Sequence, residues 1–188
     1  MATFSILIPL IFIILFLMGG IVLLQVITKK ATSGKALIRT GYGGMKVSLT
    51  QMAVLPLLHE VEIMDLTYKT IVISRKGSHG LLTKDNQRAD VDATFYVRVN
   101  PQQDDIMAVA QSIGSANVSQ PEYLHRFFEP KFTEAMKKVF FEYPYSDIAG
   151  SLDEIRDNIF DAISLDLNGF SLDDLAIDFQ EDLQRISQ

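Results

Sequence analysis

The chain has 188 residues, 48% hydrophobic and 21% charged, with no cysteine; this excludes a disordered chain, a polytopic membrane protein, a disulfide framework, a zinc ribbon and a thiol nucleophile. The net charge of −6 is unevenly spread: residues 29–100 carry 11 Lys and Arg against 6 Asp and Glu, whereas residues 101–188 carry 6 against 17. A basic half followed by an acidic half argues against nucleic acid as a partner, and the basic half suits anionic lipid headgroups.

From Met1 to Thr28 no side chain is charged, and "FSILIPLIFIILFLMGGIVLLQVI" (4–27) is almost wholly apolar. As a helix it would extend about 36 Å at ~1.5 Å per residue, enough to cross a hydrocarbon core of ~30 Å. A cleaved signal peptide would need a basic leading region, a shorter apolar stretch and a small-residue cleavage site, none of which is present. Residues 1–28 are therefore expected to be an uncleaved anchor. Pro9 is expected in its first turns, and Gly19-Gly20 offers a flat spot for helix contact. No Lys or Arg precedes the span, whereas Lys29, Lys30, Lys35, Arg39 and Lys46 follow it. That bias predicts a single-pass membrane protein, N-terminus outside and the bulk of the chain cytosolic.

Residues 29–188 read as one domain. "KALIRT" (35–40) and "MKVSL" (45–49) flank "GYGG" (41–44), a hairpin signal. The glycine group lacks the Lys-Ser/Thr of a phosphate loop and precedes no helix, so it is a turn. "AVLPLLHEV" (53–61) sets Val54, Leu55, Leu57 and Leu58 around Pro56. Such a loop either packs on the sheet or inserts shallowly into the leaflet, with Lys29, Lys30 and Lys35 as further lipid contacts. A strand-rich stretch (59–77) follows.

In "GLLTKDNQRADVDATFYVRVNP" (80–101), Val91, Ala93, Phe95, Val97 and Val99 share one face and Asp90, Asp92, Thr94, Tyr96 and Arg98 the other. This period of two marks a half-buried strand, with "TKD" at a hairpin tip. Asp90-Val91-Asp92 matches a DxD metal pattern, but any strand places alternate carboxylates on one face, with Arg88 and Arg98 as cross-strand partners. No third ligand accompanies the pair, and the solvated face is the simpler reading.

Helices come next. One is expected over 101–114, with Pro101 in its first turn and Gly114 at its end. Another is expected over 119–143, opened by a Ser119/Glu122 capping box and kinked or split near Arg126 by Pro130. Its aromatic residues Phe127, Phe128, Phe132, Phe140 and Phe141 recur at helical spacing and read as core, with part left for a subunit contact or the bilayer surface. A third starts at a Ser151/Glu154 box and stops at Asn168-Gly169. "LDDLAIDF" (172–179) alternates Leu175, Ile177 and Phe179 against Asp174, Ala176 and Asp178, a strand that rejoins the sheet. The fold class is α+β, a single transmembrane helix followed by an antiparallel-rich sheet with packed helices.

Nothing else in the chain carries chemistry. His59, His79 and His125 have unrelated spacings, and no GxSxG elbow occurs. No catalytic residue, cofactor or metal is assigned.

The blocks "GKALIRTGYGGMKV" (34–47), "VLPLLHEVEIMDLTYKTIVISRKGSHGLLTKDNQRADVDATFYVRVNP" (54–101), "FTEAMKKV" (132–139) and "RDNIFDAISLDLNGFSLDDLAIDF" (156–179) resemble a flotillin-type member of the SPFH (stomatin/prohibitin/flotillin/HflK-C) superfamily, the band 7 domain. The resemblance covers nearly the whole chain and is most specific in the middle block. It implies a non-enzymatic, membrane-anchored scaffold that forms homo-oligomers, in several members rings or cages, and organises membrane microdomains. It also implies association with an NfeD-type membrane protein or an AAA membrane protease. Flotillin-like proteins usually continue into a long Ala/Glu-rich coiled coil, which is absent from these 188 residues.

The expected mechanism is multivalency, many weak membrane contacts adding through effective concentration. Subunits would meet through the basic early half and the acidic later helices, with Arg88, Asp90, Asp92 and Arg98 as interface candidates. Two alternatives stand beside it. One is a regulatory partner of a membrane-bound protease or transporter; the other is a membrane-tethered hydrolase using Asp90 and Asp92.

Overall fold

A computed structural model describes residues 2–55, 57–164 and 167–180, the side chains of 2–8 and 22–26 excepted. The chain divides into two compact units, Met1–Ile63 and Met64–Gln188.

The first unit opens with α1 (Ala2–Ile27), a 26-residue helix with no acidic residue in its first turn and no basic one in its last. Pro9 lies inside it rather than in its opening turns, because the uncharged run extends back to Ala2 without a break. Every described side chain from Pro9 to Ile21 is exposed. Among the described residues, no helix is long and apolar enough to cross a membrane.

β1 (Thr28–Lys30) then pairs antiparallel with β4 (Gln51–Ala53), Thr28 opposite Ala53. β2 (Lys35–Gly41) and β3 (Lys46–Ser48) form the expected hairpin, with Ile38 opposite Val47. Its turn needs Gly41, Gly43 and Gly44, whose φ values of 114°, 86° and 81° disfavour other residues. β5 (His59–Asp65) lies on the other side of β2. Ala36, Leu37, Ile38, Val47 and Val54 form the buried set of this unit.

The second unit is built on β8 (Arg88–Val99), which pairs antiparallel with β6 (Lys69–Arg75), β7 (Leu81–Leu82) and β9 (Phe170–Gln180). A single 3-10 turn, Gly77–His79, separates β6 from β7. The expected alternation holds along β8: Val91, Ala93, Phe95, Val97 and Val99 are all buried, and the residues between them are half-buried. On the buried face lie α4 (Pro121–Phe140) and α6 (Leu152–Ser164), with α2 (Gln103–Ser112), α3 (Ser115–Val118) and α5 (Tyr145–Ile148) completing the helices. Phe132 sits between Phe95 and Phe128, at ring-centroid distances of 4.4 and 5.1 Å, and Phe128 also meets Phe170 at 5.0 Å. Each fully buried Phe stabilises the fold by roughly 1.5–3 kcal/mol relative to exposure.

Several local expectations are corrected. α4 continues through Pro130 as one helix, so the proline does not split it. Leu124 and Phe128 before the proline, and Phe132, Met136 and Phe140 after it, are all buried, and that packing outweighs a proline penalty of ~3 kcal/mol. The N-cap of α4 is Gln120, without a side-chain cap bond. Ser119 instead ends α3 in right-handed helical geometry, which removes it from the extended conformation a capping box requires. Pro101 precedes Gln102, the N-cap of α2, while Gly114 follows the helix with φ 88°. α6 is described as far as Ser164, and Asn168 and Gly169, both at positive φ, form the turn into β9. Leu165, Asp166 and residues 181–188 lie outside the described residues.

β9 rejoins the sheet as expected, but its inward phase changes. Opposite Tyr96 and Val97 stand Asp174 and Leu172, leaving Asp173 as an extra residue. This β-bulge lets both Leu172 and Leu175 point inward despite their odd spacing.

Candidate membrane and assembly surfaces

The loop between β4 and β5 is held by its own backbone and by one imidazole. The N–H groups of Leu58 and His59 both donate to the Leu55 carbonyl, and Tyr42 N–H donates to the Leu58 carbonyl. His59 Nδ1 accepts the Leu55 N–H at 3.1 Å, so Nε2 carries the ring proton and donates to the Tyr42 carbonyl at 3.0 Å. A Cβ on Gly41 would run into the Leu58 carbonyl, so only glycine lets the hairpin turn approach the loop.

The two readings of this loop divide by residue. Val54 is 5% exposed, its N–H donating to the Ile27 carbonyl at 2.8 Å, and belongs to the buried set. Leu57 is 98% exposed at the loop tip, and Leu55, Leu58 and Tyr42 are exposed beside it. Pro56 lies outside the described residues. Lys29, Lys30 and Lys35 are exposed as well. Arg39 is not available in the same way, because its Nη1 donates to the Ala53 carbonyl at 2.8 Å.

On the outer face of β8 the carboxylates find partners other than the arginines expected. Asp92 pairs with Lys76 at 2.6 Å, and hydrogen bonding to that ammonium, then to Ser74, holds its carboxyl below the usual range. Asp90 accepts the Gly77 N–H at 2.8 Å. Arg88 donates to the Gly80 carbonyl at 3.1 Å. Arg98 pairs with Asp173, the bulged residue, at 3.0 Å and lies over the Tyr68 ring. A hydrogen bond to Asp173 pushes the Tyr68 phenol up. Among the described residues no group of His, Cys, Asp and Glu is arranged to hold a metal ion.

Two anchors were not visible in the residue pattern. The "TKD" tip is docked: Thr83 is buried and donates to Asp85, Asp85 accepts the Tyr145 N–H at 3.2 Å, and Lys84 N–H donates to the Tyr143 carbonyl. Arg75, at the end of β6, reaches Glu129 and Thr133 on α4 at 3.0 and 2.8 Å. These partners stand more than 50 residues apart in sequence, and no local periodicity signals them.

The antiparallel sheet, the packed helices and the strand alternation agree with the domain whose blocks the sequence resembles, and residues 29–186 match the SPFH domain / Band 7 family. The chain belongs to this family. Within it the chain is flotillin-like. It is 29% identical over 167 residues to the flotillin family inner membrane protein YqiK of Escherichia coli (strain K12), covering 87% of this chain and 30% of that protein. It is 24% identical over 153 residues to the flotillin family inner membrane protein sll1021 of Synechocystis sp., covering 78% of this chain and 23% of that protein. The chain therefore spans less than a third of the length of these relatives.

Proposed function

We propose that this SPFH protein is a non-enzymatic scaffold, anchored in the cell (inner) membrane by α1 and self-associating side to side to organise a patch of bilayer. The observation that carries the reading is α1 itself. Its described side chains, Pro9 to Ile21, are apolar and exposed on every side, and a helix apolar all round requires an apolar environment. The names of the two relatives, both inner membrane proteins, support the same location. The exposed loop tip Leu55, Leu57 and Leu58, with Lys29, Lys30 and Lys35, gives the first unit a surface that suits a shallow contact with an anionic leaflet.

Side-to-side contact is assigned to the charge asymmetry of the chain, basic over residues 29–100 and acidic over 101–188, because opposite patches on one subunit favour head-to-tail association. Arg88, Asp90, Asp92 and Arg98 would contribute through the rim of an already paired network. Electron microscopy of the full chain extracted in mild detergent tests the reading. Closed rings or cages at ~0.1 M salt that dissociate as ionic strength rises are expected. Monomers at every salt concentration, or a stoichiometric complex with a foreign protease or NfeD-type protein in place of a homo-oligomer, would count against it.

A further inference from the structure

Within the second unit, the end of β6, the Gly77–His79 turn, β7, the start of β8 and the last turns of α4 line a cleft of 690 Å³. That volume falls in the range of small-molecule sites, ~300–1,000 Å³, and is small for a folded partner. Four permanent cations line it, Arg75, Arg88, Lys137 and Lys138, against two carboxylates, Glu134 and Glu142.

The cations are not equivalent. Arg75 is engaged with Glu129 and Thr133, and Arg88 with the Gly80 carbonyl. Both guanidinium groups are thereby held in place at the wall. Lys137 and Lys138 have neither an ion pair nor a hydrogen bond among the described residues. As last-turn cations they complement the negative end of the α4 dipole, but that role leaves the apolar part of the same wall without a reason. Phe141 is 54% exposed and Leu82 is 41% exposed, and both face the cleft. Half-exposed hydrocarbon beside unpaired ammonium groups is complementary to one kind of molecule, an anion carried on an apolar chain.

We propose that this cleft binds the phosphate head of an anionic amphiphile. Lys137 and Lys138 take the phosphate oxygens, Arg75 (its charge met by Glu129) and Arg88 frame the wall, and Phe141 with Leu82 receives the first carbons of the chain. Ammonium groups meet phosphate as point charges with rotatable donors, so the two adjacent lysines suit a phosphate head. One chain supplies every residue of the cleft, so binding there does not require assembly.

The test uses the full chain in a non-ionic detergent, titrated with dioctanoyl phosphatidic acid, dioctanoyl phosphatidylcholine or inorganic phosphate and read by native mass spectrometry. One phosphatidic acid per chain is expected, at least tenfold tighter than phosphatidylcholine. Lys137→Gln/Lys138→Gln should weaken phosphatidic acid at least tenfold, and Lys137→Arg/Lys138→Arg should restore it. Phe141→Ser should weaken phosphatidic acid while leaving inorganic phosphate unchanged. Equal binding of phosphatidylcholine overturns the proposal, as does inorganic phosphate binding as tightly as phosphatidic acid. Loss of self-association in the Gln variant with lipid affinity kept would give the cleft to a second copy instead, and would equally overturn it. An unchanged thermal transition in each variant separates lost binding from lost folding.

Discussion

Asp65 ends β5 with its carboxylate on the Lys69 ammonium at 2.7 Å and on the hydroxyl and N–H of Thr67 at 2.7 and 2.9 Å. Burial pushes its pKa up, but these bonds, with the Lys69 charge, outweigh it and hold the group at about 2, against an ordinary 3.8. A depressed carboxyl stabilises the fold above its unfolded pKa, and this stabilisation is lost as pH falls from about 3.8 through about 2. Asp65→Asn should therefore cost about 1 kcal/mol at pH 7 after allowance for partial exposure and salt, and should flatten the acid limb of a urea-stability profile. The loop residues give a sharper contrast. Val54→Asp places an unpaired charge in a buried site and should destabilise by about 3 kcal/mol or more. Leu57→Asp/Leu58→Asp should change stability by no more than about 0.5 kcal/mol, yet in a chain lacking residues 2–27 it should abolish binding to anionic liposomes. Unchanged binding with the fold intact would remove the loop from the membrane. Which apolar loop residue is core and which is surface was not legible in "AVLPLLHEV", because a short irregular loop has no period to assign its faces.

At the scale of elements, what was legible had a period. β8 was read correctly because alternate residues must point to opposite faces, and nine residues of strict alternation leave no other register. The hairpin at "GYGG" was equally legible, since positive φ there calls for glycine. α4 was recognised from its apolar spacing, but its continuity through Pro130 was not, because the penalty is local while the compensating packing on β6 and α6 is tertiary. Phe132→Ala tests that compensation. It removes a side chain that is fully buried between Phe95 and Phe128, and should cost about 3–5 kcal/mol in chemical denaturation. A loss below about 1 kcal/mol would mean that the aromatic contacts do not hold α4 to the sheet.

For the whole molecule, membrane orientation is the property most open to direct measurement. The chain has no cysteine, so a single introduced thiol is unique. In intact cells Thr3→Cys should react with a membrane-impermeant maleimide and Ser33→Cys should react only after lysis. The reverse pattern would invert the proposed topology, and reaction of both would remove the span. The sequence by itself determined the elements: an uncharged apolar run, a strand with one apolar face, helices with apolar stripes and turns that call for glycine. Each of these is a property of neighbours along the chain. Only the tertiary structure decided which charges meet, as with Arg75 and Glu129, 54 residues apart, or Arg98 and Asp173, 75 apart. It also decided where β9 changes phase and that cations from three elements share one cleft with Phe141. The reason is physical: period and backbone preference are set residue by residue, whereas pairing across the fold exists only after the chain has closed on itself.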